Sequence, residues 1–126
     1  MQVLSSRVLV RPTDLESSTE FYRDVLGLAT YRTFPGGTVF FLGQGFLEVS
    51  GRSDGGAAGM LELWMQVRDI KAAVAELAAR GVEPDREPRQ EPWGLWEAWI
   101  SDPDGVRIVL VEIPAEHPLR TDVRAR

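Results

Sequence analysis

The feature that most constrains this chain is that its second half repeats its first. Val8–Val10 has the alternation of a short strand, Pro12-Thr13-Asp14 breaks it, and Asp14-Leu15 opens a helix that stops at Leu26-Gly27-Leu28. Residues 61–67 alternate as a strand, Asp69-Ile70 opens a second helix at an offset of 55, and Arg80-Gly81-Val82 closes it at an offset of 54. The second helix is therefore one residue shorter. Aspartate at the N-cap accepts from free backbone N–H groups, and glycine after the last turn takes the left-handed conformation that ends a helix. Leu15, Phe21, Tyr22, Val25 and Leu26 form one apolar stripe; Ile70, Val74, Leu77 and Ala78 form the other.

Strands follow each helix. In the first half they are residues 28–34, 38–42 and 46–50, parted by Pro35-Gly36-Gly37 and Gly43-Gln44-Gly45. In the second half residues 82–91 are Pro-rich and charged, as in an edge strand. Residues 93–112 then read as two antiparallel strands joined at Asp102-Pro103-Asp104-Gly105, where proline presets the turn and glycine completes it. Each half is thus strand, helix, strand, strand, strand, and a repeat of that length marks a duplicated supersecondary unit. One helix covers only one face of a four-stranded sheet. The expected fold class is α+β, with two βαβββ modules forming a curved, mostly antiparallel sheet around a cavity and helices on the outside. A single domain of 126 residues is expected: module one at about 5–51, a breaker-rich linker at 51–59, module two at about 60–113, and a C-terminal tail at 114–126.

Composition excludes several functions. The formal charge is −5, with a single lysine and no basic run before the tail, which argues against a nucleic-acid partner. No apolar stretch approaches the roughly 20 residues that span a bilayer, and no signal-peptide pattern opens the sequence. The expected location is cytoplasmic, away from membranes. Cysteine is absent and His117 is the one histidine, so disulfides, thiolate sites, cysteine nucleophiles and histidine clusters are excluded. No phosphate-binding glycine loop is present, and the serines have no placed histidine as a base. Tail residues Arg120, Arg124 and Arg126 are expected on the surface or in disorder.

The run Val10…Asp14-Leu15…Phe21-Tyr22-Arg23-Asp24-Val25-Leu26-Gly27-Leu28, together with the Asp102-Pro103-Asp104-Gly105 turn and the duplication, resembles the vicinal oxygen chelate superfamily. That superfamily includes glyoxalase I, extradiol dioxygenases and bleomycin-type resistance proteins. The likeness covers roughly residues 5 to 113. It implies paired βαβββ modules, a homodimer, and, in metal-dependent members, four inward-facing ligand positions. Carried onto this sequence, those positions are Arg7, Glu48, Glu62 and Val109. Only the two glutamates are suited to a hard cation. Arginine does not lose its proton, and valine has no donor atom. No metal and no cofactor are therefore expected. Arg7 either bridges Glu48 and Glu62, or all three are solvated charges at a cavity rim.

Alternation extends the candidate site. With Val8 and Val10 under the first helix, Arg7, Leu9 and Arg11 face inward; Phe46 and Ser50 accompany Glu48, and Trp64 and Gln66 accompany Glu62. Phe40 or Phe41 adds a ring, with Phe40 preferred. If Asp102 pairs with Gly105, then Trp96, Ala98 and Ile100 share the face of Val109, and Trp99 packs beneath the second helix. A one-residue bulge reverses that assignment. Trp93, on the Pro92-Trp93-Gly94 loop, is placed as a lid or a dimer contact. Each of these aromatic residues has core packing as its alternative role.

The candidate ligand-binding set is thus Arg7, Leu9, Phe40, Phe46, Glu48, Glu62, Trp64, Trp93, Trp96 and Val109. A wall of this kind suits a flat, hydrophobic aromatic small molecule. The expected function is metal-free sequestration of such a molecule, as in antibiotic-binding resistance proteins, which are the nearest analogy within the superfamily. The alternatives are a metal-dependent lyase, isomerase or dioxygenase of the glyoxalase type, a metal-free catalyst using Glu48 or Glu62, and a module whose apolar face is buried wholly in a dimer.

Overall fold

The computed structural model describes residues 1–2, 4–54 and 61–117. Within these, the expected repeat is present. The first half contains β1 (Val8–Val10), α1 (Leu15–Glu20) continuing into a π-helical turn (Phe21–Val25), β2 (Thr30–Phe34), β3 (Gly37–Leu42) and β4 (Gly45–Ser50). The second contains β5 (Glu62–Gln66), α2 (Ile70–Ala79), β6 (Arg86–Gln90), β7 (Trp96–Ser101) and β8 (Arg107–Glu112). The strand orders are β1-β4-β3-β2 and β5-β8-β7-β6. In each sheet the first strand pairs in parallel with the last and the other pairs are antiparallel, so this is an α+β fold of two βαβββ modules. Most of the expected linker, residues 55–60, and tail residues 118–126, with Arg120, Arg124 and Arg126, lie outside the described residues.

Both helix starts are capped as their aspartates predict. Asp14 accepts from Ser17 N at 3.2 Å and Asp69 from Ala72 N at 3.1 Å. The one-residue difference between the halves also has a structural expression. Leu26 N bonds Phe21 O at 2.9 Å, an i to i−5 bond, so the extra residue of the first helix is absorbed as a widened turn before Gly27.

Contacts divide the chain into two compact units, residues 1–61 with Asp102–Val106, and residues 62–101 with the chain from Arg107 onward. The turn of the β7–β8 hairpin thus belongs with the first helix rather than with its own strands. Buried Tyr22 donates to Asp102 Oδ2 at 2.8 Å, and Thr13 N donates to Asp104 Oδ2 at 3.1 Å. In the first unit Phe40, Leu47, Val49 and Tyr22 are fully buried; in the second Ile70, Leu77, Ile100 and Ile108 form the matching layer.

Candidate functional site

The pairing register decides which side chains share the face of each sheet away from its helix. In the first sheet Leu9 and Val39 both lie opposite Glu48, and Phe41 lies opposite Phe46. Leu9, Glu48, Phe41 and Phe46 therefore share the open face, flanked by Arg7, Arg11 and Ser50. Phe40 lies opposite Leu47 on the other face and is fully buried, whereas Phe41 is 43% exposed. The preference for Phe40 as a ligand contact is corrected accordingly. The Gly43-Gln44 loop holds two residues, and this fixes Leu42 opposite Gly45 and every partner before it.

Two groups of side chains occupy that face. At one, Arg7 Nη1 donates to Glu48 Oε1 at 2.9 Å, Ser50 Oγ donates to Glu48 Oε2 at 2.7 Å, and Arg11 Nη1 donates to Ser50 Oγ at 2.6 Å. The Ser50 hydrogen bond, followed by that from Arg7, holds the Glu48 carboxyl below its ordinary value. A carboxylate so held is a weak base, which disfavours general-base catalysis by Glu48. A lowered value places its contribution to stability above the ordinary carboxylate range and removes it as pH falls through the lowered value. The Glu48 side-chain carboxyl is expected to titrate by NMR at lower pH than a model glutamate, and Ser50→Ala should move the midpoint upward. An unshifted midpoint would refute this account. At the other group, Tyr31 meets Phe41 at 5.2 Å and Phe46 at 4.9 Å between ring centroids, helped by a bulge between Thr30 and Arg32.

In the second sheet, one row crosses all four strands: Trp64, Val109, Trp99 and Arg86. The next row is Glu62, Arg107 and Ser101. Trp99, not Trp96, shares the face of Val109. Trp96 lies on the helix side, where Lys71 Nζ approaches its ring to 5.5 Å, so its expected place beside Val109 is corrected, as is that of Trp99 beneath α2. The cause is the turn. Gly105 N bonds Asp102 O at 3.0 Å, and Asp102 N bonds Val106 O at 3.0 Å. Gly105 has φ +84°, so the loop has three residues and closes with the bulged glycine. That one extra residue shifts the pairing and exchanges the two tryptophans.

Trp99 lies between two guanidinium groups. Arg86 and Arg107, from the strands on either side of β7, each place Cζ 4.0 Å from its ring centroid. Arg86 is anchored by an ion pair to buried Glu91. Arg107 Nη1 reaches Glu62 Oε2 at 3.3 Å. The hydrogen bond on Arg7 thus goes to Glu48, and Glu62 receives one from Arg107. Trp64 is 52% exposed, while Val109 is buried in a cluster with Leu95, Val111 and Ile113. Trp93 is exposed; its Nε1 donates to Glu97 Oε2 at 3.0 Å, and its carbonyl accepts from His117 Nε2 at 2.8 Å.

These residues do not fit a catalytic metal. Both Glu48 oxygens accept hydrogen bonds from side chains, Glu62 is paired with Arg107, and Val109 offers no donor. Among the described residues no group of three histidine, cysteine or acidic side chains is placed to hold an ion. Tyr31 and Arg107 stood outside the candidate set, and Phe41 and Trp99 entered only as the alternatives to Phe40 and Trp96. Arg107 was accessible from its alternation with Val109, but the others needed the register. Among the described residues no helix is long and apolar enough to cross a membrane.

A family model described as the Glyoxalase/Bleomycin resistance protein/Dioxygenase superfamily matches residues 5–110. The crystal structure of TnmS3, an antibiotic binding protein from Streptomyces sp. CB03234, is similar at a TM-score of 0.76 and 25% identity, over 90% of this chain and 98% of that one. Lactoylglutathione lyase from Agrobacterium tumefaciens is similar in fold at 0.70 and 20% identity, over 89% and 94%. A glyoxalase/bleomycin resistance protein/dioxygenase from Nocardioides is similar in fold at 0.72 and 22%, over 94% and 89%. No curated protein matches the chain.

Proposed function

Since this chain belongs to the glyoxalase/bleomycin resistance protein/dioxygenase superfamily, whose fold alone dictates no activity, we propose that it is a metal-free binding protein for a hydrophobic aromatic small molecule. One observation carries the reading: both oxygens of the Glu48 carboxylate are engaged, by Arg7 and Ser50, while the clustered rings on the same face, Phe41, Phe46 and Tyr31, stay partly open to solvent. A carboxylate so occupied has little capacity left for a cation, and clustered exposed rings are suited to stacking. Exposed Trp64 offers a similar surface in the second unit. The likeness to an antibiotic binding protein supports sequestration, of antibiotics among such molecules, over turnover. In this reading the protein acts in the cytoplasm as a homodimer, and protects by stoichiometric binding.

The test joins metal content to ligand titration. Protein purified without chelator should carry no stoichiometric divalent metal. Neutral polycyclic aromatic compounds should quench its tryptophan fluorescence saturably, and Phe41→Ala or Trp64→Ala should weaken binding about tenfold, the scale of one stacking contact. A stoichiometric metal whose removal abolishes a lyase, isomerase or dioxygenase activity would overturn the proposal, as would the absence of saturable quenching across the panel.

A further inference from the structure

The two arginine–glutamate pairs are held very differently. Glu48 accepts from Arg7 and Ser50, with Arg11 3.8 Å away, and its side chain is 14% exposed. Glu62 meets Arg107 through a 3.3 Å contact, with side chains 53% and 43% exposed. An exposed ion pair of this type contributes little and exchanges readily. Yet Arg107 itself is not loose. Its guanidinium rests on Trp99, whose ring is backed by Arg86, and Arg86 is tied to the buried Glu91. A donor fork is therefore held in place on an aromatic platform while its carboxylate partner is replaceable. Trp64, on the same face and exposed, stands two strands from Trp99 across Val109.

Resting on the binding function proposed above, we infer that the ligand is an acidic planar aromatic compound. Its carboxylate takes the place of Glu62 on Arg107, and its ring lies against exposed Trp64 on the same face. A carboxylate matches a guanidinium with two parallel hydrogen bonds in a common plane, and a conjugated aryl ring extends that plane along the stacked layer. The acidic groups near this arrangement are Asp85, Glu62, Glu91 and Glu97, and Asp85 accepts from Ser101 Oγ at 2.5 Å. Glu91 is engaged by Arg86 and Glu97 by Trp93 Nε1, so Glu62 is the competitor that the ligand displaces. No covalent bond is made or broken in the exchange.

The experiment uses anthracene-2-carboxylate, anthracene-2-carboxamide and 2-(aminomethyl)anthracene, titrated against the full chain by tryptophan fluorescence. The carboxylate should bind about tenfold more tightly than the carboxamide, the scale of one charge-assisted interaction. Arg107→Gln should remove that preference, and Arg107→Lys should recover part of it. Glu62→Gln should tighten carboxylate binding several-fold by removing the competitor. Arg107 and Glu62 are both exposed, and unchanged melting temperatures would verify that the variants fold. Equal affinity for acid and amide, or a loss of carboxylate affinity in Glu62→Gln, would overturn the inference while leaving the binding function intact. Tighter binding of the amine would do the same. Failure of all three probes, together with the neutral panel, would reject the binding function itself.

Discussion

Replacing Asp102 with alanine is expected to destabilise the protein by about 3–5 kcal/mol, because one buried carboxylate serves three donors. Its Oδ1 accepts from Asp104 N at 2.8 Å and Val106 N at 2.9 Å, and its Oδ2 accepts from Tyr22 Oη at 2.8 Å. Alanine leaves two turn amides and a buried phenol without partners. Urea unfolding gives the measurement, and the comparison series is informative. Asp102→Asn keeps an acceptor for the amides and should cost less. Tyr22→Phe removes only the hydroxyl and should cost about 1–3 kcal/mol. A loss for Asp102→Ala no larger than that for Tyr22→Phe would show that the turn amides do not depend on this side chain.

The same contact predicts a response to alkali. Burial first, and the Asp102 charge second, push the Tyr22 phenol above its ordinary value. A raised value means that the contribution is fully present below about pH 10, the value of the unfolded phenol, and is lost as pH rises through the folded one. Wild-type stability should therefore fall above that pH more steeply than the stability of Tyr22→Phe.

Phe40→Ala is the second large effect, at about 3–5 kcal/mol for truncation of a fully buried ring. Its neighbour provides the control. Phe41 is half-exposed, so Phe41→Ala should cost below about 1.5 kcal/mol in stability while weakening aromatic ligands as described above. Chemical denaturation of the two variants separates the faces of β3 directly. Equal stability losses would contradict the register that places Phe40 opposite Leu47 and Phe41 opposite Phe46.

Much of this molecule was legible as text because local rules govern it. The aspartate caps, the glycine stops and the proline-containing turn act within a few residues, so Asp14, Asp69 and the Asp102–Gly105 turn could be read without a fold. Duplication turned those marks into two βαβββ modules. Strand alternation also placed Leu9 and Glu48 on one face, and Glu62 and Trp64 on another, since each statement concerns one strand and its own helix.

What lies between strands was decided only by tertiary structure. The β7–β8 loop holds three residues where a two-residue turn was expected, and this single residue moved Trp99 to the face of Val109 and Trp96 to the helix side. The Gly43-Gln44 loop, with two, placed Phe41 rather than Phe40 beside Phe46. A side chain's face alternates with every residue, so an error of one in a loop inverts a whole strand. The sequence by itself determined the repeated architecture, and its family resemblance implied that Arg7 and Val109 stand at ligand positions of metal-dependent members. Tertiary pairing decided which rings and which arginine, Arg107, stand beside them, because loop closure depends on hydrogen bonds that no strand carries alone.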